Sequence, residues 1–304
     1  MLMIRHLRHG DIDKVEWERL LLRCPDRLWY AQSWVLDLCC PRWEALIGDD
    51  GSIMPLIWRR KFGVDYLYQP YAVQQQGVFS PRRDQRTDAA FLEAVPPRFK
   101  YWDIHLNAAM QAHAYREDRI STSTNQDLDL SHDATTLRAA YSHGHRRNLR
   151  KAGDDPPVII SDVTSAEFVA LFERTTGKRF GNVPEGGMLL LERMISGALE
   201  RTQCRLLGVR ENGTLIAAVC FMEWEGRSIL LKSANDKTAS DRQSMFHLVD
   251  RYISEHAGSG LLLDFAGSNT ASVQRFNAGF GARSTVYLHL VRNRLPAPLR
   301  WFKR

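Results

Sequence analysis

No stretch of the chain approaches the ~18 consecutive apolar residues of a bilayer-spanning helix; Leu215 to Met222 is among the longest apolar runs. Arg5, His6, Arg8 and His9 arrive before the apolar core of a secretion signal can form, so a cytoplasmic location is expected. The five cysteines, Cys24, Cys39, Cys40, Cys204 and Cys220, are odd in number and lack CxxC spacing. That argues against a disulfide framework and against a zinc cluster, and adjacent Cys39 and Cys40 read as packing residues. His143-Gly144-His145 sets its imidazoles two apart, off any shared helix face, so no metal is expected. Gly177-Lys178 lacks the first glycine of a phosphate-binding P-loop, because Phe172 stands in its place. Gly258-x-Gly260 has Leu263 where a dinucleotide fingerprint has its third glycine, and it precedes a strand instead of following one. No GxSxG elbow occurs.

What remains is a chain of ordinary globular composition. Its 44% hydrophobic and 25% charged residues describe a packed protein, and 304 residues suffice for one large domain or two of average size. A net charge of +6 favours anionic partners such as a phosphate-rich cofactor, a nucleic acid or acidic lipid heads; a solvated basic surface gives the same number.

Hydrophobic spacing gives the element order. Met3 to Leu7 reads as a strand and Ile12 to Leu22 as an amphipathic helix. A second helical piece opens at Trp29 and ends at Pro41. Trp43 to Ile47 and Ser52 to Trp58 flank a Gly48-Asp49-Asp50-Gly51 turn, the signature of a hairpin. Extended segments follow around Tyr66 to Ala72 and Gly77 to Phe79. Phe91 to Val95 reads as a helix, and Tyr101 to Leu106 and Ser121 to Leu130 as strands. The second half repeats the theme. Val158 to Val163 is a strand; Ser165 to Gly177 and Pro184 to Leu199 are helices. Cys204 to Val209, Thr214 to Trp224 and Ser228 to Ser233 form a meander around an Asn212-Gly213 turn. Ser244 to His256 is a helix, and Val286 to Val291 a closing strand. The order predicts an α+β protein built on a mixed α/β sheet in two tandem domains, 1–135 and 156–295. A basic connecting helix over 136–155 joins them, and a basic tail occupies 296–304.

The stretch Leu261 to Gly281 organises the second half. Leu261 to Phe265 reads as a buried strand, Gly267-Ser268-Asn269-Thr270 as a turn able to cap a helix, and Thr270 to Ala278 as that helix, with Gly279 and Gly281 suited to its stop. Asp264-Phe265-x-Gly267, followed by Phe276-x-x-x-Phe280-Gly281 and a hydrophobic strand, resembles the end of the second half of FemAB-like acyltransferases, a branch of the GNAT acetyltransferase superfamily. The basic segment Arg146 to Ala152 resembles the helix joining the two halves in that family. The resemblance covers most of the chain and is strongest from Tyr141 onward. It implies two tandem GNAT-like (acyl-CoA N-acyltransferase) domains and two open sheets. The substrate groove would lie where the halves meet, near the end of the Asp264-Phe265 strand.

GNAT chemistry asks little of side chains: an amine attacks an activated acyl carbonyl, backbone N–H groups hold the oxyanion, and the amine sheds a proton. Asp264 and Lys232 are the catalytic candidates. Asp264 would orient or deprotonate the amine, or cap the next turn; Lys232 would hold a donor phosphate, or be a solvated strand end. Phe265, Ser268, Asn269 and Arg275 are candidate substrate contacts around the turn and short helix. Tyr71 and Gln74 are candidates in the first half, where the alternative is a bulge with glutamines bonding the backbone. In the family the donor's pyrophosphate sits on a glycine-rich loop opening a helix. Here the corresponding stretch, Lys232 to Ser244, has no glycine. Lys237, Ser240 and Arg242 favour acetyl-CoA or another acyl donor there, while Asp236 and Asp241 oppose it. Arg146 with Arg150, and Arg147 with Lys151, align at i,i+4 and would contact tRNA, or face solvent or interdomain acids. The expected activity is transfer of an acetyl or aminoacyl group to a small-molecule or peptide amine. The alternative is a non-catalytic binding protein that keeps the fold and contacts RNA or phosphate ligands.

Overall fold

The computed structural model describes residues 2–82, 84–110, 118–151, 153, 155–178, 183–267 and 269–296, and the structural statements concern these. The chain forms two compact units, Met1–Ser123 with Val286–Arg304, and Thr124–Thr285. This division is not the linear one expected from the sequence. It cuts through two strands, and the end of the chain returns to the first unit.

In the first unit, β1 (Ile4–Leu7), β2 (Glu44–Gly48) and β3 (Ile53–Leu56) make a three-stranded antiparallel sheet. Helices α1 (Lys14–Leu22) and α2 (Ser33–Cys39) connect β1 to β2. Asp13 starts α1 by accepting from the Val15 and Glu16 N–H groups, and Trp17, Leu20 and Leu21 form its buried face. A second sheet contains β4 (Trp58–Lys61), β5 (Val64–Tyr68), β6 (Phe99–His105), the later part of β13 (Arg283–Asn293) and the start of β7 (Asp118–Asp129), in the order β4-β5-β6-β13-β7. β5 and β6 are parallel, so the chain must cross over between them, and it does so through α3 (Gln85–Ala94). Phe91 and Leu92 of α3 pack with Phe99, Trp102, Ile104 and Leu290.

In the second unit, α4 (Ala134–Ala139), α5 (His143–Arg150), β8 (Ile159–Ile160), α6 (Ser165–Phe172) and α7 (Gly187–Glu200) precede a meander of β9 (Cys204–Glu211), β10 (Thr214–Trp224) and β11 (Arg227–Asn235). Then come α8 (Lys237–Asp241), α9 (Ser244–Glu255), β12 (Leu262–Asp264) and α10 (Ala271–Ala278). The strand order within this unit is β13-β7-β12-β11-β10-β9-β8, with the start of β13 and the later part of β7. β10 lies between β9 and β11, which explains its unbroken apolar run: Leu215 to Met222 is buried throughout, as befits a strand covered on both faces. β11 and β12 are parallel and α9 crosses between them, so the second unit repeats the strand–helix–strand crossover of the first. Leu248, Val249, Tyr252 and Ile253 of α9 are buried, and Tyr252 stacks on Phe221 at 3.6 Å.

Three expectations change. The boundary between the units falls within β7 and β13, each of which carries residues of both. The single basic connecting helix is two short helices within the second unit. Asp133 caps α4 at Thr136, the chain turns at Ala140–Ser142, and Ser142 caps α5 at His145. The helix expected over Ser165 to Gly177 keeps its α-helical form only to Phe172 and continues as a π-helical turn over Glu173–Gly177. Its start agrees with the sequence: Thr164 and Glu167 form a capping box, and the bonds to Thr164 and Arg210 hold the Glu167 carboxyl down at about 2. Among the described residues, no helix is long and apolar enough to cross a membrane.

Candidate active site

The second unit opens where β11 leaves β12. The two strands pair for three residues only, ending at Ile229 opposite Asp264. β12 stops there, whereas β11 runs on to Asn235 against β10. Cys220 faces Lys232 and Phe221 faces Leu230, so Leu231 is an extra residue, a bulge at the start of the unpaired stretch. One edge of β11 from Leu230 to Asn235 thus faces away from β10 without β12 beside it, an edge an extended ligand can pair with.

Asp264 sits at the fork. It is fully buried: Oδ2 accepts from Arg227 Nη1 at 2.7 Å, and Oδ1 accepts from Asn125 Nδ2 at 2.8 Å and from the Ala266 N–H at 2.9 Å. It therefore caps the turn, one of the two readings open from the sequence, and it anchors an ion pair besides. A buried carboxylate so fully engaged fixes geometry more readily than it removes a proton. Asp127 stands directly across from it in β7, and its Oδ1 accepts from the same Asn125 amide at 3.0 Å. Arg227 lies 3.9 Å from Asp127, and Thr285 Oγ1 donates to Asp127 Oδ2 at 3.1 Å. Burial, and then the neighbouring Asp264 charge, push the Asp127 carboxyl up to about 6.

Lys232 lies beyond the bulge, its Nζ 6.0 Å from the centre of the Phe172 ring. Burial pulls its ammonium toward the neutral amine. Phe172 ends α6, and the π-helical turn follows it, a feature that often marks functional sites. Thr175 Oγ1 donates to the Leu171 carbonyl at 2.6 Å, and Arg174 to the Leu215 carbonyl at 2.6 Å. Gly177 allows close packing there, since a Cβ would lie 2.9 Å from Met188 Cε and 3.1 Å from the Phe172 carbonyl oxygen.

The stretch expected to hold a donor's phosphates has folded as α8. Asp236 caps it at Ala239, Ser240 Oγ is engaged by the Asp236 carbonyl at 2.9 Å and by Asn235, and Arg242 bonds Glu211 at 3.0 Å and Asp155 at 3.1 Å. Lys237 and Ser240 are exposed and Arg242 is half-buried, and of the three Lys237 has no internal bond described. The N-terminus of α9 is better suited. Its first turn holds no acid, Gln243 gives it no side-chain cap, and the Ser244 hydroxyl is buried without a hydrogen-bond partner. The Ser244 and Met245 N–H groups at the helix end, beside an orphaned hydroxyl, fit a phosphate ester, while the Phe246 N–H is taken by the Gln243 carbonyl. The residues present therefore fit a phosphate-bearing donor through α9, with the loop itself contributing little.

The remaining candidates scatter. Phe265 points into the core, stacked on Phe280 at 6.1 Å, so it packs and does not line a site. Asn269 Oδ1 accepts from the Thr124 N–H at 2.9 Å, tying the turn to β7. Arg275 is exposed on α10, and Ser268 lies outside the described residues. Arg146, Arg147, Arg150 and Lys151 are exposed on α5, with Arg146 donating to the Ala139 carbonyl at 2.9 Å. Tyr71 and Gln74 belong to the first unit. Burial raises the Tyr71 phenol to about 12, and the Gln74 carbonyl accepts from the His105 ring. His105 in turn faces His289 at 4.6 Å, and His289 bonds Asp103 at 2.8 Å. Burial drives His105 down to about 4.

Residues 139–271 match the family model of the acetyltransferase (GNAT) domain. That stretch is a GNAT domain. The match holds the fork, Lys232 and the α9 N-terminus. No curated protein sequence matches the chain. Among solved structures, FemX is similar over 99% of both chains, with a TM-score of 0.66 at 11% identity. A tandem GNAT protein from the clavulanic acid biosynthesis pathway is similar over 97% of this chain and 100% of its own (TM-score 0.55, 13% identity). A GNAT-family acetyltransferase from Colwellia psychrerythraea is similar over 96% and 99% (TM-score 0.53, 14% identity). At such identities the likeness is one of fold: the GNAT domain here is the second member of a tandem GNAT architecture.

Proposed function

We propose that the protein is an N-acyltransferase in which an acyl donor lies along the free edge of β11 and an amine attacks its carbonyl. The observation that carries this reading is the fork itself, within the residues matched to the GNAT family. Backbone N–H groups of β11 would hold the oxyanion, the role for which rigid main-chain donors suit acyl transfer. Asp264 and Arg227 would keep the fork open as positioning residues. Lys232, drawn toward its neutral form by burial, would accept the proton that the attacking amine loses. The first turn of α9, with Ser244, would bind the donor's phosphates, and Lys237 would add charge. An acyl-CoA supplies the activated thioester. The acceptor is a small-molecule or peptide amine, with Asn269 and Arg275 of the second unit as its candidate contacts.

The folded loop at α8 favours a second reading. Ser240 and Arg242 are committed to internal bonds, which favours a donor other than acyl-CoA, or a binding role without catalysis, on the same scaffold. Exposed Arg146, Arg147, Arg150 and Lys151 would then meet an RNA-borne donor in the cytoplasm. Calorimetry with acetyl-CoA, combined with amine-dependent release of the coenzyme A thiol, separates these. Micromolar binding with thiol release supports the acyl-CoA transferase. Absence of both, with tRNA affinity that falls steeply with salt and weakens in an Arg146→Ala/Arg147→Ala variant, supports the second reading.

A further inference from the structure

The hairpin of β4 and β5 ends in Phe62-Gly63, at φ +49° and +76°, with Lys61 paired to Val64 on either side. Two positive φ values are what a tight two-residue hairpin turn requires, and asparagine, aspartate or glycine normally supply the first. The β9–β10 turn obeys this with Asn212-Gly213. A phenylalanine in the left-handed region is strained, and this one is also 92% exposed, the most exposed large apolar side chain among the described residues. Strain and exposure together point to a use outside the folded chain.

The charges around the tip are sorted by face. Arg60 and Asp65 share one side of the hairpin, where Arg60 and Arg98 neutralise Asp65, and Arg98 also meets Glu44. Arg59 and Lys61 alternate onto the other side, across from Tyr66 and Val64, where no acid sits in the hairpin to oppose them. Arg59 lies over the Tyr68 ring at 4.0 Å, and Lys61 Nζ lies 5.5 Å from the Phe62 ring. β4 is the outer strand of its sheet, and nothing lies within 4 Å of where a Gly63 Cβ would be, so the tip stands in open solvent.

We infer that the β4–β5 tip docks the protein on an anionic lipid bilayer, with Phe62 entering the boundary between headgroups and acyl chains while Arg59 and Lys61 meet the lipid phosphates. A single aromatic on a convex, cationic tip suits a deformable apolar layer under an anionic surface. A folded protein partner would need a preformed pocket for Phe62, and an RNA would leave the ring no apolar medium to enter. The inference concerns location and stands apart from the acyl-transfer chemistry.

The test is co-sedimentation of the whole protein with vesicles of phosphatidylcholine alone and with about one-third phosphatidylglycerol. The parent should partition to the anionic vesicles only. Phe62→Asn places a residue suited to the turn, so it should lower partitioning about fivefold or more while its Tm equals or exceeds the parent's. Lys61→Glu should lower it at least about fivefold, the effect of one cation near such a surface. Thiol release with a soluble amine should be unchanged in both. Absence of parent binding, binding indifferent to both substitutions, or a Tm loss of several degrees in Phe62→Asn would each overturn the inference. So would a defect in tRNA binding with vesicle binding intact.

Discussion

Replacing Asp127 by Asn keeps the shape of the side chain and removes its charge beside Asp264. The ionised pair is the costly state. Asp127 is mostly buried, with its side chain 16% exposed, and it shares one Asn125 amide and one arginine with a second carboxylate. Its pKa rises from 3.8 to about 6 on folding, so the native state holds a proton that the unfolded chain releases between those values. A group raised in this way stabilises fully below the unfolded pKa and loses that contribution as pH climbs to the folded one. Two units at 1.36 kcal/mol each set a ceiling of about 3 kcal/mol, and screening plus local relaxation should leave about half. Asn mimics the neutral form at every pH. The variant should therefore match the parent near pH 4, gain through the interval from 4 to 6, and hold above it an advantage of about 3–6 °C in Tm. Differential scanning fluorimetry of both proteins in matched buffers reads this directly. An offset independent of pH, or a less stable variant at pH 8, would refute the argument.

His105 should act with the opposite sign. Its pKa falls from 6.5 to about 4 on folding, so the unfolded chain binds the extra proton and stability is lost as pH drops through that range. His105→Gln should flatten the acid limb of the parent's Tm profile; an unchanged limb would remove His105 as its cause. Ser244→Ala deletes a buried hydroxyl that has no partner, so thermal stability should hold or rise while donor binding weakens about tenfold by calorimetry. Equal donor affinity in the two proteins would take Ser244 out of the donor site. Gly279→Ala should be severely destabilising, because its methyl would overlap the His145 ring, which is held by Ser142 and the Phe276 carbonyl. His145→Ala in the same chain should recover much of the loss in urea unfolding; simple additivity would contradict this cause.

The strands and helices of the second unit were legible because their patterns are local. The Asn212-Gly213 turn, the Thr164/Glu167 cap and the run from Leu215 to Met222 each announce one element. Gly279 was read as a helix stop, yet its φ is −65°, which any residue adopts; it is glycine because His145 leaves no room, a contact across 134 positions that no local pattern carries. Asp264 was singled out from the sequence as a candidate, but its partners were not: Asn125, Asp127 and Arg227 come from β7 and β11, and only strand register brings them together. Phe265 was misread for the same reason. Adjacent residues in a strand face opposite ways, so if Asp264 faces the fork, Phe265 faces the core. The alternation of Tyr101, Asp103 and His105 did lie in the sequence as one strand face, and its weight became visible only with His289 beside it. The π-helical turn left no readable trace, because one extra residue per turn does not disturb a short apolar pattern.

Hydrogen–deuterium exchange with and without acetyl-CoA addresses the donor site most directly. Binding along the free edge of β11 predicts new protection confined to Leu230–Asn235 and to the first turn of α9 from Ser244, with β9 and the first-unit sheet unchanged. Protection elsewhere with those two segments still exchanging freely would contradict the proposed donor site.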